Sequence, residues 1–259
     1  MQNLNGKRVV ITGGSQGLGL AMVEALAARG ASVTAISRDR AKLRAAEQAG
    51  AAVIAGDATD AMLMNSVVGE EAPDVLILNA GARLLVKPID ELSWDEFSIV
   101  WNTDVKAGLA GIQAALKTPM KRGGRVLVMS SGAAMVLAVP FIPPESLRLS
   151  GGYIGAKRML WFMAHSANTV SHERGLGLHF QVLVPNQLMP GTALGHQVAA
   201  TYAAIEGVSV EEHVMKRYGS ILEPREFAER VAEMVADPRY SRGVAYGFRA
   251  DTGITSLDV

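Results

Sequence analysis

Arg8-Val9-Val10-Ile11-Thr12-Gly13-Gly14-Ser15-Gln16-Gly17-Leu18-Gly19 passes from an unbroken apolar run into a cluster of glycines and then into the Ala- and Leu-rich residues 18–28. Consecutive apolar residues over 8–12 predict a strand covered on both faces, and 18–28 predict a helix. Glycine is needed between them for two reasons. The turn requires unusual backbone angles, and a Cβ would keep a phosphate away from the N–H groups at the helix N-terminus. Gly13, Ser15, Gln16, Gly17, Leu18 and Gly19 are therefore candidate binding residues for a dinucleotide. The spacing differs from the G-x-G-x-x-G of the two-lobed dehydrogenases.

Outward from this turn, residues 32–36, 52–55, 75–78, 126–129 and 178–184 repeat the buried-strand pattern, alternating with helical stretches at 41–48, 94–116 and 153–172. Such βαβ repetition implies an α/β fold, a doubly wound parallel sheet whose ligands collect at the carboxyl ends of its strands. After residue 184 prolines and glycines punctuate short helical pieces, and a helix at 224–236 and a strand at 243–248 close the chain. No repeat or clear linker interrupts residues 1–259, which are read as one domain. The 259 residues, 49% hydrophobic and 19% charged, can close a core without disulfides or a structural metal. The absence of cysteine removes thiol catalysis, thiolate metal sites and disulfides together. The 25 basic and 25 acidic side chains cancel, which argues against nucleic acid or an anionic membrane as partner. Residues 132–144, the longest nearly unbroken apolar run, contain prolines and fall short of the ~20 residues that span a bilayer. With no signal pattern at residues 1–8, the expectation is a cytoplasmic protein. Aromatics are 5% while methionines number 12, so packing leans on Ala, Val, Leu and Met in small, close helices.

The T-G-x-x-x-G-x-G formed by Thr12, Gly13, Gly17 and Gly19 resembles the short-chain dehydrogenase/reductase family in its short single-domain branch. The resemblance implies a Rossmann-type sheet with a small helical substrate lid, placed at about 188–220. Asn79-Ala80-Gly81 is similar to the family's N-A-G, which packs against the cofactor loop. Asp57, followed by Ala58, matches the acidic residue near the adenine ring. The second strand ends in Ile36-Ser37-Arg38, with Arg40 close by. An acid there would accept hydrogen bonds from the ribose 2′-hydroxyl of NAD, whereas Ser37 and Arg38 suit a 2′-phosphate, so NADP(H) is the expected cofactor. The family's second NADP signal, a basic residue before Gly17, is absent, since Gln16 stands there. Pro185-Asn186 occupies the place of the family's P-G, so Pro185 is expected against the cofactor; Pro190 replaces that loop's usual threonine, with Thr192 near.

Tyr153-Ile154-Gly155-Ala156-Lys157 matches the family's Y-x-x-x-K. Four residues apart on a helix, phenol and ammonium lie on one face. A free phenol titrates near 10, and a neighbouring cation favours its ionised form. Tyr153 would give a proton to a carbonyl oxygen in reduction and take it in oxidation, while Lys157 would also hold the nicotinamide ribose. The resemblance implies a serine after the fifth strand, assigned to Ser131 in Ser130-Ser131-Gly132. Ser131 precedes Tyr153 by more residues than the family usually sets between them. The surplus is placed in an insertion at about 135–145, and Ser150 is the rival serine. The family's proton relay uses an asparagine, and its expected position falls on Asp104; either Asp104 replaces the amide or Asn102 serves instead.

The substrate is expected between Ser131, Tyr153 and residues 188–218. Met135, Leu137, Phe141, Met189, Leu194, Tyr202 and Met215 suggest an apolar wall, and the expected substrate is an apolar ketone or secondary alcohol. The five histidines show no metal-ligand spacing, and none is assigned to a metal. They are read as surface or satisfied, with His196 the one in a plausible substrate loop. By resemblance, the helices at 94–116 and 153–172 would pair subunits in a homodimer or homotetramer. A non-catalytic NADP-binding sensor would need no serine, tyrosine and lysine, and a lyase or epimerase would have little room for a second substrate domain.

Overall fold

A computed structural model of the chain describes residues 3–118, 120–138, 149 and 152–258. Strands β1 (Arg8–Thr12), β2 (Ser32–Ser37), β3 (Ala52–Ala55), β4 (Val75–Leu78), β5 (Arg125–Met129), β6 (His179–Pro185), β7 (Ala245–Arg249) and β8 (Gly253–Ser256) form one eight-stranded sheet, ordered β3-β2-β1-β4-β5-β6-β7-β8. Strands β1 to β7 run parallel, and β8 returns antiparallel to β7. The Rossmann-type α/β fold expected from the sequence is the fold observed. Chain order reverses between β1 and β4, so a crevice opens beyond their carboxyl ends. Thr12 stands opposite both Ile36 and Leu78, bringing the residues that follow all three strands to one edge.

Alternate strand residues face opposite layers, which explains the continuous apolar runs. Val9 and Ile11 pack beneath α1 (Gly17–Ala28) with Met22 and Leu26, as Phe227 and Val231 of a C-terminal helix close the same layer. Val10, Leu76 and Val128 face the other layer. It is built from α3 (Ala61–Glu71), α5 (Lys106–Lys117) and α6 (Tyr153–Glu173); α4 (Trp94–Val100) precedes α5, and α2 (Arg44–Gln48) packs through Ala46 in the α1 layer. Helices α7 (Ala193–Glu206), α8 (Val210–Tyr218) and α9 (Pro224–Ala236) follow β6.

The observed elements differ from the expected ones in four places. The helix expected at 41–48 begins only at Arg44, because the Asp39 carboxylate accepts from the N–H groups of Ala41 and Lys42 and holds a turn. Helix α3 was not anticipated; its signals are the Asp60 cap, accepting from Met62 and Leu63, and its buried Met64, Val67 and Val68. Strand β8 was also not anticipated, since short edge strands carry little pattern. Residues 94–116 are not one regular helix, because a π-helical turn at Trp101–Val105 joins α4 to α5.

Candidate active site

A cleft of about 700 Å³ runs along the carboxyl edge of the sheet, and the glycine turn forms one end of it. Gly13 has φ +71°, and a Cβ on it would come within 2.9 Å of the Ala80 Cα; Gly17 has φ +55° and faces open space. With no Cβ at either glycine the backbone N–H groups can be approached closely, so the cradle fits a pyrophosphate at the positive end of the α1 dipole. Asn79 braces it, its Nδ2 donating to the carbonyls of Thr12 at 3.2 Å and Gly13 at 3.3 Å. The Thr12 hydroxyl accepts in return from the N–H groups of Asn79 and Ala80.

Ser15 donates to Ser37 at 2.9 Å, tying the turn to the end of β2. Gln16, Leu18, Gly19, Asp57, Ala58 and Gly81 line the same cleft. Arg38 also lines it and meets no carboxylate among the described residues. Arg40 is committed elsewhere, bound to Glu47 at 2.6 Å, so of the two arginines only Arg38 faces the cleft. The N–H of Thr59 holds the Asp57 carboxyl below the usual carboxylate range, more strongly than burial opposes it, with Arg38 and Lys106 adding to the effect.

The mid-cleft group comes from three elements. Tyr153 and Lys157 occupy successive turns of α6, with the Lys157 ammonium 5.5 Å from the Tyr153 ring centre. Ser131 follows β5 and lines the cleft; its oxygen accepts from Ala133 N–H, leaving its own O–H to donate. The neighbouring Ser130 donates to the Lys157 carbonyl at 2.9 Å, so its hydroxyl is spent on packing. The π-helical turn carries Asp104 inward, 2% exposed, to form an ion pair with Lys157 at 2.9 Å and to accept from Ala82 N–H at 2.7 Å. Asn102 is exposed, and its amide donates to Ser98 at 3.3 Å on the outer face. Asp104, not Asn102, therefore faces the cleft. Burial works against the Lys157 ammonium, but the Asp104 carboxylate, with Tyr153, outweighs it and raises Lys157 above the ordinary lysine value.

At the far end Pro185, Asn186, Leu188 and Met189 follow β6, and Gln187 anchors this loop by donating to the Ser220 carbonyl and accepting from Ala250 N–H. Thr192 caps α7, accepting from Gly195 N–H and donating to the Met189 carbonyl. Of the expected apolar wall, Met189, Leu194 and Tyr202 line the cleft; Met135 instead packs against the core and Met215 is 43% exposed. Phe141, Pro140, Pro143, Pro144 and Ser150 lie outside the described residues, as do residues 139–145 of the expected insertion and the side chain of Leu137. The histidine expectation is corrected: His196 is exposed and off the cleft, whereas His213 lines it. The buried position of His213 on α8 follows from tertiary packing, for which spacing gave no signal. Among the described residues, no group of three or more His, Asp and Glu could hold a metal ion, and no helix is long and apolar enough to cross a membrane.

Residues 7–142 match the family model described as short chain dehydrogenase. Over 99% of this chain and 99% of the relative, the sequence is 27% identical to an oxidoreductase, asL5, of Sarocladium schorii. An L-fucose dehydrogenase of Mus musculus is 26% identical over 93% of this chain and 86% of its own length. An L-xylulose reductase of Mesocricetus auratus is 30% identical over 51% of this chain and 55% of its own length.

Proposed function

The chain belongs to the short-chain dehydrogenase family, and on that premise we propose that it is an NADPH-preferring carbonyl reductase and alcohol dehydrogenase acting on an apolar ketone or secondary alcohol. The observation that carries this reading is the meeting of Ser131, Tyr153 and Lys157 in the cleft that begins at the glycine turn. Gly13, Ser15, Gln16, Gly17, Leu18 and Gly19 would hold the pyrophosphate, Asp57 and Ala58 the adenine. Ser37 and Arg38 would take the 2′-phosphate, and Asn79, Ala80, Gly81 and Pro185 the nicotinamide half. A nicotinamide dinucleotide held there supplies or accepts the hydride.

The protein's own groups manage the oxygen and its proton. The Ser131 hydroxyl donates to the substrate oxygen and fixes its direction. Tyr153 delivers a proton from its phenolic oxygen in reduction and receives one there in oxidation. Lys157 places a positive charge beneath that phenol, and Asp104 keeps the ammonium charged and in position, taking the place of an amide in the relay. Leu84, Leu188, Met189 and Leu194 offer an apolar wall for the substrate's carbon skeleton.

The whole of residues 1–259 acts as one dinucleotide-binding domain, residues 188–220 serving as its lid. Phe162 at 64% and Leu109 at 43% exposure support a homodimer or homotetramer through α5 and α6, with a cytoplasmic location. The test is Tyr153→Phe against a panel of ketones and aldehydes with NADPH and NADH side by side. NADPH binding should persist while turnover is lost; retention of most activity would defeat the assignment.

A further inference from the structure

Two guanidinium groups line the cleft beyond the catalytic group without a counter-charge. Arg83 comes just after Ala82, whose N–H donates to Asp104 at 2.7 Å, and it borders the cleft. Leu84, next in the chain, gives its carbonyl to the Gln197 amide at 3.1 Å, which brings this loop against α7. Helix α8 meets α7 where His213 stacks on Tyr202. Arg217 follows His213 by one helical turn, so both present themselves on the face of α8 that borders the cleft. Arg83 and Arg217 are exposed, so their donors are open to a ligand.

Neither is spent on the protein. Arg83 meets no hydrogen-bond acceptor and no carboxylate among the described residues. Arg217 donates from Nε to the Tyr218 hydroxyl at 3.2 Å and lies 5.7 Å from the centre of that ring, which itself forms part of the cleft wall. The contact settles the guanidinium against the wall and leaves both Nη groups unpaired among the described residues. The carboxylates among the described cleft residues are Asp57 and Asp104. Asp104 is held by Lys157 at 2.9 Å, and Asp57 accepts from Thr59 N–H after β3, towards the opposite end. The substrate half therefore carries two positive charges that the fold does not balance, in a cleft whose walls focus the field. A cation would be repelled there. A carboxylate matches the planar fork of an arginine with two parallel N–H···O bonds. The apolar side chains of Leu84, Leu188 and Met189 suit a hydrocarbon skeleton joining that carboxylate to the reacting carbon.

We propose that Arg217, with Arg83, recognises a carboxylate remote from the reacting carbon, so that the preferred substrates are oxo acids of apolar skeleton and the corresponding hydroxy acids. This rests on the oxidoreductase reading of the same cleft and names the substrate class for it.

The test pairs a graded series of straight-chain oxo acids with their methyl esters, using the full chain and NADPH. The best acid should show at least about tenfold higher kcat/KM than its ester, carried mainly by KM, as expected for a charge-assisted fork. Raising the ionic strength from about 0.01 M to about 1 M, where the screening length falls from about 30 Å to about 3 Å, should lower that ratio at least about threefold. In Arg217→Met the ratio should collapse to within about twofold, Arg83→Met should lower it in part, and Arg217→Lys, which keeps the charge without the fork, should restore part of it. An acid-to-ester ratio near one throughout the series, a ratio indifferent to salt, or one that survives in both methionine variants overturns the proposal. A phosphate monoester preferred to the acid of the same skeleton overturns the assignment to carboxylates. Saturation-transfer NMR of the oxo acids on the Tyr153→Phe protein with NADP separates the two readings. Acid binding that Arg217→Met abolishes, with neither acid nor ester turned over by the unmodified protein, sinks the oxidoreductase reading and upholds the carboxylate site. Equal turnover of acid and ester does the reverse.

Discussion

Asp104→Ala should be strongly destabilising, and its cost should shrink as pH rises. The substitution strips the carboxylate from an ammonium 2.9 Å away whose residue is only 6% exposed. At an effective dielectric of about 20 the lost attraction is about 6 kcal/mol. The protein can escape part of this by releasing the Lys157 proton. Neutralising a lysine with a free pKa near 10.4 costs about 4.6 kcal/mol at pH 7, which caps the charge penalty, and about 1.9 kcal/mol at pH 9. The orphaned Ala82 N–H adds about 1 kcal/mol at every pH.

The direction with pH follows from the two folded states. In the unmodified protein Lys157 is raised above its unfolded value, so its stabilisation is present in full below about pH 10 and is lost only as pH climbs through the folded value. In the variant, burial without a carboxylate depresses the folded value, so Lys157 penalises folding at neutral pH and the penalty fades towards pH 10. Urea unfolding at pH 7, 8 and 9 should therefore show a gap of about 6 kcal/mol narrowing to about 3 kcal/mol. Asp104→Asn, whose amide oxygen still accepts from Ala82, should lose less. A gap below about 1 kcal/mol at pH 7, or one indifferent to pH, would refute the buried ion pair.

Three further outcomes are expected. Arg38→Ala should raise the KM for NADPH at least about tenfold and leave that for NADH within about twofold, as befits a guanidinium that meets a phosphate; equal effects on both cofactors would remove Arg38 from the 2′-phosphate site. Gly19→Ala would press its methyl onto the Gly13 carbonyl, so dinucleotide titration should show binding lost, while Gly17→Ala, strained only by its φ of +55°, should cost about 1 kcal/mol in a thermal melt. Ser93→Ala removes the hydroxyl that accepts from Glu96 N–H in the α4 capping box and should lower stability by about 1 kcal/mol with kcat unchanged; a silent melt would count against that cap.

Much of this molecule is local in origin. The unbroken apolar runs, the glycines after β1 and the helical spacing of Tyr153 and Lys157 involve neighbours in the chain, so strand, cradle and shared helix face are legible in the residues themselves. The succession of strands and helices follows from the same alternation, whereas the spatial order β3-β2-β1-β4 is set by pairing across the fold. What spacing leaves open is decided by contacts between distant segments. Asp104 rather than Asn102 enters the cleft because a π-helical turn rotates it towards Lys157, and no periodicity announces that extra residue in the turn. Arg40 and Arg38 look alike in sequence; only the approach of Glu47 withdraws one of them. His213 and His196 differ in the same way, one buried against Tyr202 and Glu206 by the packing of α8 on α7, the other left in water. Residue type and local period determine which chemistry the chain carries, while burial and pairing across the fold determine which copy of each group can perform it.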